Sequence, residues 1–498
     1  MNRSFSLTAV GLLFSGLLAA QPVNQLPESK ISLKETEAHL RFLASDELQG
    51  RRTGEPGNFT AARYIAEQFR LLGLKPAGNP TSYFQEVPLL QVKPAASATV
   101  LIGSDSLKLG NQIAVLNGKQ TDLRAETVYV GYGLNDGPDG YNGRDVRGKI
   151  VVVQVGSPEA TTISGMLAAS QLKRKLAADK GAVALIELYA GGAYPWPIVT
   201  KAFQNEQITM LPPGEPSSLP HLWVDNGKNQ LAALKEAGKS ITVRTSGRVM
   251  RPIRAVNVAG IVEGSDPRLK NEYVMLSAHF DHVGVGKQGG QPYTPADSIF
   301  NGARDNAFGT VALLASARAL QAQRPKRSVL IVALTGEELG MLGSKYYAEH
   351  PLVPLKQTIF NLNSDGAGYN DTTIVSVVGL ERTGARAEIE AGAKAFGLGV
   401  FAEPAPEQNL FDRSDNVSLA VKGVPAPTFS AGFTKFDGEL FKVYHQVTDN
   451  PDTVDFRYLL KFCQAFCHAG RLIADKPDRP KWSAGDKYEA AAKALYGM

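Results

Sequence analysis

Seven residues in the second half of the chain have the types that chelate metals and move protons: His279, Asp281, Asp305, Glu337, Glu338, Asp365 and His445. Each has an ordinary explanation when taken alone. A histidine ending a strand is usually a hydrogen-bonded core or surface residue. Glu337-Glu338 ahead of a helix is negative charge that suits the helix dipole. Asp305-Asn306 before another helix is a cap, and Asp365-Gly366 is a turn. Their order is what calls for a joint explanation. Three successive strands end in an imidazole or a carboxylate, and a further carboxylate stands where the intervening helix begins.

Zinc accepts imidazole nitrogen and carboxylate oxygen, and a catalytic zinc keeps one position open for water. Two such ions about 3.5–4 Å apart need a shared ligand, which here only a carboxylate can supply. A second carboxylate must then take a proton from the attacking water. Glu337 and Glu338 can divide these tasks, because neighbouring residues at a strand-to-helix turn point in different directions.

The elements that would position these groups follow from the hydrophobic pattern. Tyr273–Ala278 and Ser328–Leu334 are apolar runs of strand length, and Gln357–Leu362 reads as a third strand. Phe308–Gln321 and Leu339–His350 between them read as helices. Such alternation predicts an α/β fold, a mostly parallel sheet covered by helices on both faces. In such sheets ligands gather at the carboxyl ends of the strands. Upstream, residues 33–75 read as helical, broken by the loop Gly50–Gly57 and ended by Gly73 and Pro76. Residues 95–249 have a different texture of short strands and frequent turns, with strands at 148–153 and 181–186 around a helix at 167–180. The division expected is therefore 1–20 a leader, 21–94 and 250–475 one domain, 95–249 a β-rich α+β insertion, and 476–498 a C-terminal tail.

Composition excludes several functions. With 53 basic and 48 acidic residues the net charge is +5, and no basic run interleaved with aromatics marks a nucleic-acid partner. Asn2-Arg3 followed by the apolar stretch Leu7–Ala20 has the form of a cleaved secretory signal peptide, so a secreted or periplasmic protein without a stable membrane anchor is expected. The two cysteines, Cys463 and Cys467, lie four apart in a helical segment and read as small core residues. Gly284–Gly290 lacks the ending of a phosphate loop, and no Gly-x-Ser-x-Gly elbow is found near a histidine. His39, His221, His282, His350 and His468 have no spacing partner and read as structural histidines. The sequence leaves the oligomeric state open.

Ser277-Ala278-His279-Phe280-Asp281-His282, Asn301–Asn306, Thr335-Gly336-Glu337-Glu338-Leu339-Gly340, Asn363-Ser364-Asp365 and Tyr444-His445-Gln446 together resemble the zinc aminopeptidase and glutamate carboxypeptidase II-like family. The resemblance covers residues 33–94 and 255–475. Residues 120–245 resemble the protease-associated domain often inserted in such enzymes. The resemblance implies two Zn²⁺ ions bridged by Asp305, with His279 and Asp365 completing one site and Glu338 and His445 the other. It implies Glu337 as the general base acting on a metal-bridging water, Asp281 as the acceptor that orients His279, and Tyr444 as a donor to the oxyanion. Peptides would be the substrates, cleaved at the N-terminal bond. A carboxypeptidase, a glutaminyl cyclase and a non-catalytic protein like the transferrin receptor are the alternatives within this fold. Two positions depart from the family pattern: Arg304, where many relatives have aspartate, and Asn416, where many have histidine.

Overall fold

The computed structural model describes residues 25–137, 140–160, 162–191, 194–212, 218–226, 232–236 and 238–497. The segment read as a signal peptide lies outside them. The chain divides into two compact units, one of residues up to Gln85 and from Val256 onward, the other Glu86–Ala255.

The first unit is built on a mixed sheet. With β1 (Val249–Val262), β2 (Tyr273–His279), β3 (Ser328–Leu334), β4 (Thr358–Ser364), β5 (Ile374–Val378), β6 (Gly399–Ala402) and β7 (Thr428–Ala431), its order is β6-β5-β7-β4-β2-β3-β1. The centre is parallel: β2 pairs in parallel with both β3 and β4, and β4 with β7. β1 against β3 and β5 against β7 are antiparallel. The central strands are buried along almost their whole length because both faces are covered. Alternate side chains then divide between two cores. Val274, Leu276, Ala278, Val329 and Ile331 pack into one with helices α1 (Leu33–Leu43), α2 (Pro56–Leu72), α3 (Phe308–Ala322) and α6 (Phe456–Asp475). Met275, Leu330 and Val332 pack into the other, near α4 (Leu342–Glu349) and α7 (Glu489–Tyr496); α5 (Arg386–Ala395) supplies Ile389 and Ala393 to the first. The segment expected as a tail supplies buried Trp482, Tyr488 and Ala492 to the second core. Cys463 and Cys467 are buried free thiols on α6.

A buried ion group fastens the N-terminal segment to this unit. Glu28 is fully buried, ion-paired with the Arg471 guanidinium and 3.2 Å from His468 Nδ1. Arg471 also donates to the carbonyls of Gln323 and Ala319, tying α6 to α3. Burial alone would raise the Glu28 carboxyl, but His468 and Arg471 outweigh it and hold it below its ordinary 4.5. A depressed carboxyl adds stability that is present above its ordinary value and lost as pH falls through its folded one. Glu28→Gln leaves Arg471 buried without its counter-charge and is expected to destabilise the unit by about 3–5 kcal/mol at neutral pH. The variant's melting temperature should also fall less than the wild type's between neutral and acid pH. Coincident melting curves for the two proteins across that range would refute the pairing.

The second unit is an eight-stranded mixed sheet with helices Ile163–Asp179 and Trp196–Phe203. Thr121–Tyr129, Ile150–Gln154, Ala184–Tyr189 and His221–Asp225 run parallel at its centre. Lys173, Glu187 and His221 form a fully buried ionic group there, with Glu187 2.9 Å from Lys173 Nζ and 2.7 Å from His221 Nε2.

Among the described residues no helix is long and apolar enough to cross a membrane.

Candidate metal centre

β2, β3 and β4 run in the same direction, so their carboxyl ends form one edge. His279 is the last residue of β2, and Asp365 directly follows β4. After β3 the chain turns at Gly336 and does not enter α4 until Leu342, because Leu342 and Gly343 donate back to the carbonyls of Gly336 and Thr335. Glu337 and Glu338 therefore occupy a turn of their own and are not the first turn of the helix. Asp305 lies in the short segment Ala303–Ala307 that leads into α3, and its own backbone is non-helical, with φ −112 and ψ 95. His445 has φ +51, a backbone conformation uncommon outside glycine and one that recurs at functional sites.

These turns bring five of the predicted residues together around Asp305. Its Oδ1 is 3.5 Å from His279 Nε2, and its Oδ2 is 3.2 Å from His445 Nε2. His279 Nε2 is also 3.1 Å from Asp365 Oδ1, and His445 Nε2 is 3.0 Å from Glu338 Oε2. Two groups of donor atoms result, each within 4.8 Å: His279, Asp305 and Asp365, and His282, Asp305, Glu338 and His445. Asp305 is common to both.

The charges show what these groups lack. Burial, followed by the charge of Glu338, raises the Asp305 carboxyl, while His445 and His282 pull against that. Burial pushes Glu337 well above its usual range; His279 opposes the shift, and Asp365, Glu338 and Asp415 add to it. Burial alone would lower His445, but its bonds to Asp305 and Glu338 raise it to about 11. Four carboxylates, Asp305, Glu337, Glu338 and Asp365, thus line one pocket together with the His445 imidazole. Divalent cations would neutralise them, and the mixed nitrogen and oxygen donors suit zinc. The donor sets are those of a di-zinc site.

Glu337 belongs to neither donor group but lines the same pocket, as does Tyr444. The Glu337 N–H donates to Asp281 Oδ1 at 3.2 Å, and Thr53 Oγ1 donates to Asp281 Oδ2 at 3.0 Å. Asp281 is therefore a brace for the Glu337 turn. Its carboxylate stands 3.7 Å from His279 Nδ1, whose nearer acceptor is the Asp281 carbonyl at 3.2 Å. Burial, with the charges of Asp305 and Glu338 adding to it, raises the Tyr444 phenol. Val378, Leu410, Phe433 and Phe436 give the pocket apolar lining as well.

Two participants escape sequence reasoning. His282, read as a structural histidine, lies 2.7 Å from Glu338 Oε1. Arg51, read only as part of a loop, is buried under the centre. It donates to the carbonyls of Phe280 (2.8 Å), Asn301 (2.6 Å), Gly302 (2.9 Å) and Leu43, joining the turn after β2 to the Asp305 loop. Burial lowers this guanidinium to about 10, and Asp281, Asp305, Asp449 and Glu338 act in the other direction. Its contacts are made to main-chain carbonyls, so no side-chain pattern signals them.

Residues 257–469 match Peptidase family M28. A vacuolar membrane protease of Saccharomyces cerevisiae is 33% identical over 112 residues, 22% of this chain and 10% of the yeast protein. Aminopeptidase YwaD of Bacillus subtilis is 34% identical over 98 residues, 20% of this chain and 18% of the relative. The matched stretch thus spans less than a fifth of either curated relative. Among solved structures, an aminopeptidase from Aneurinibacillus sp. strain AM-1 superposes with a TM-score of 0.51 at 21% identity, covering 92% of this chain and 99% of that one, which is a likeness of fold. The stretch matched by the family carries both donor groups.

Proposed function

We propose, from the match of residues 257–469 to Peptidase family M28, that the protein is a zinc-dependent exopeptidase that removes N-terminal residues from peptides. The observation that carries this reading is Asp305, whose two oxygens face His279 and His445 separately while Glu337 stands free in the same pocket. His279 and Asp365 would hold one zinc and Glu338 and His445 the other, with Asp305 shared. Bound zinc supplies electrophilic pull on the peptide carbonyl and lowers the pKa of water.

The chain's own residues do the rest. Glu337, braced through Asp281 and Thr53, takes the proton of the attacking water and passes it to the leaving amine as the C–N bond breaks. Tyr444 donates its phenolic proton to the oxygen that gains charge. Glu337 and Asp365 offer carboxylates to a substrate ammonium, and Val378, Leu410, Phe433 and Phe436 offer an apolar wall to its side chain. The name of Aminopeptidase YwaD supports the same direction of attack. The form of residues 1–20 supports action outside the cytoplasm, and the strand-rich Glu86–Ala255 unit supports a protease-associated-like insertion.

One observation favours a second reading. Arg413 lines the pocket, is exposed, and among the described residues makes a single 3.4 Å hydrogen bond, to Gln408, so it could meet a substrate carboxylate as in a carboxypeptidase. The two readings separate on substrate panels. Protein stripped of metal and reloaded with zinc is expected to hydrolyse aminoacyl-anilides and to lose that activity on chelation. Cleavage confined to N-blocked peptides with free C-termini would overturn the aminopeptidase reading in favour of the second.

A further inference from the structure

Glu338 presents its two oxygens to different partners. Oε2 faces His445 Nε2 at 3.0 Å, and that nitrogen also faces Asp305 at 3.2 Å. Oε1 lies 2.7 Å from His282 Nδ1. We infer that His282 is a positioning residue, whose Nδ1–H holds Glu338 Oε1 so that Oε2 alone is offered to the ion shared with His445 and Asp305.

The surroundings of the ring support this assignment. His282 is 1% exposed. A Cβ at residue 302 would fall 2.5 Å from the His282 ring, and Gly302 has φ +59, so glycine is required there both for its backbone and for the space the ring fills. On another side the ring meets His445 edge-on, with centroids 5.5 Å apart and planes at 80°. The ring is wedged and its donor is fixed in place. The second nitrogen, Nε2, is buried with no hydrogen-bond partner among the described residues. A neutral imidazole carries one N–H. Placing it on Nε2 would bury an unsatisfied donor and set a lone pair against a carboxylate oxygen. Placing it on Nδ1 avoids both. A glutamate has three side-chain torsions, so a fixed donor on one oxygen removes most of the freedom that ligation by the other would have to freeze.

The inference rests on the reading of the centre as a two-zinc site, and its test separates the two. Wild type, His282→Leu, His282→Asn and His282→Gln are freed of metal and checked by thermal melting. They are then titrated with zinc against a chromophoric chelator, and the visible spectra of their cobalt forms are recorded. The asparagine amide nitrogen overlies Nδ1 and keeps the donor, whereas the glutamine amide reaches the position of Nε2. The leucine variant is expected to bind two ions, one of them roughly 10–100-fold more weakly, with altered cobalt bands. Asparagine should restore affinity to within a few-fold, and glutamine should not. If leucine prevents folding, the asparagine–glutamine pair asks the same question. Unchanged affinities and spectra in leucine, or in both amides, overturn the inference. Outright loss of one equivalent in both leucine and asparagine also overturns it, since His282 would then be a ligand. A wild type that binds fewer than two ions overturns the two-zinc reading itself.

Discussion

Glu337→Gln is expected to lower kcat by on the order of 10³-fold, within the range that removal of a general base produces, while two zinc ions remain bound. The expectation follows from where Glu337 stands. It is outside both donor groups yet lines their pocket, so losing its charge removes no ligand. Glutamine matches its volume and keeps the backbone N–H that meets Asp281 Oδ1 at 3.2 Å, so the turn and its brace stay in place. What disappears is an oxygen able to take a proton. In the metal-free centre burial raises that carboxyl, with Asp365, Glu338 and Asp415 adding to it and His279 opposing. Turnover at saturating substrate and zinc content by elemental analysis check the prediction together. A fully active variant sinks the assignment of the base, and a variant that has lost zinc shows that Glu337 is a ligand.

The parts of this site legible in the sequence are those that depend on local pattern. β2, β3 and β4 are buried along almost their whole length, and their strand-length patterns place their ends, and with them His279, Glu337-Glu338 and Asp365, from sequence. His282 could not be, because its partner Glu338 is 56 residues away and meets it only after β2 and β3 pair. Arg51 acts through main-chain carbonyls, which no residue pattern announces. The two departures from the family pattern find physical accounts in three dimensions. Arg304 pairs with Asp449 at 2.9 Å, reaches Thr453 and lies 5.0 Å from the Tyr369 ring centroid. The other Asp449 oxygen accepts the N–H groups of Arg304 and Asp305, so the pair fastens the backbone of the shared carboxylate. Asn416 donates to the carbonyls of Phe411 and Ala426, closing its own loop as a buried staple. The segment 476–498 looks like a tail because its few large side chains are spaced irregularly. Tyr488 nonetheless stacks on Phe411, Trp482 meets it edge-on, and both join the second core.

Asp305→Asn is expected to abolish activity and zinc binding while raising the melting temperature of the metal-free protein. The first effect follows from sharing. Oδ1 serves the His279 side and Oδ2 the His445 side, and an amide offers one neutral oxygen in place of two charged ones. Both ions should therefore be weakened, well beyond the roughly 10–100-fold that loss of an outer partner costs. The second effect has the opposite sign because the metal-free centre is a site of self-repulsion. Burial and Glu338 raise the Asp305 carboxyl above its ordinary 3.8 despite the pull of His445 and His282. A raised carboxyl contributes stability below its ordinary value and loses it as pH rises through the folded one. At neutral pH ionised Asp305 is accordingly a burden on the metal-free fold, and asparagine lifts it. In the wild type bound zinc reverses the balance, by about 2.7 kcal/mol for one site at a free concentration 100 times its dissociation constant. The melting temperatures should then fall in the order zinc-loaded wild type, Asp305→Asn with or without zinc, metal-free wild type. A variant that gains as much from zinc as the wild type does would show that the ions do not share Asp305. A variant less stable than the metal-free wild type would show that its pairing with His445 outweighs its repulsion by Glu338.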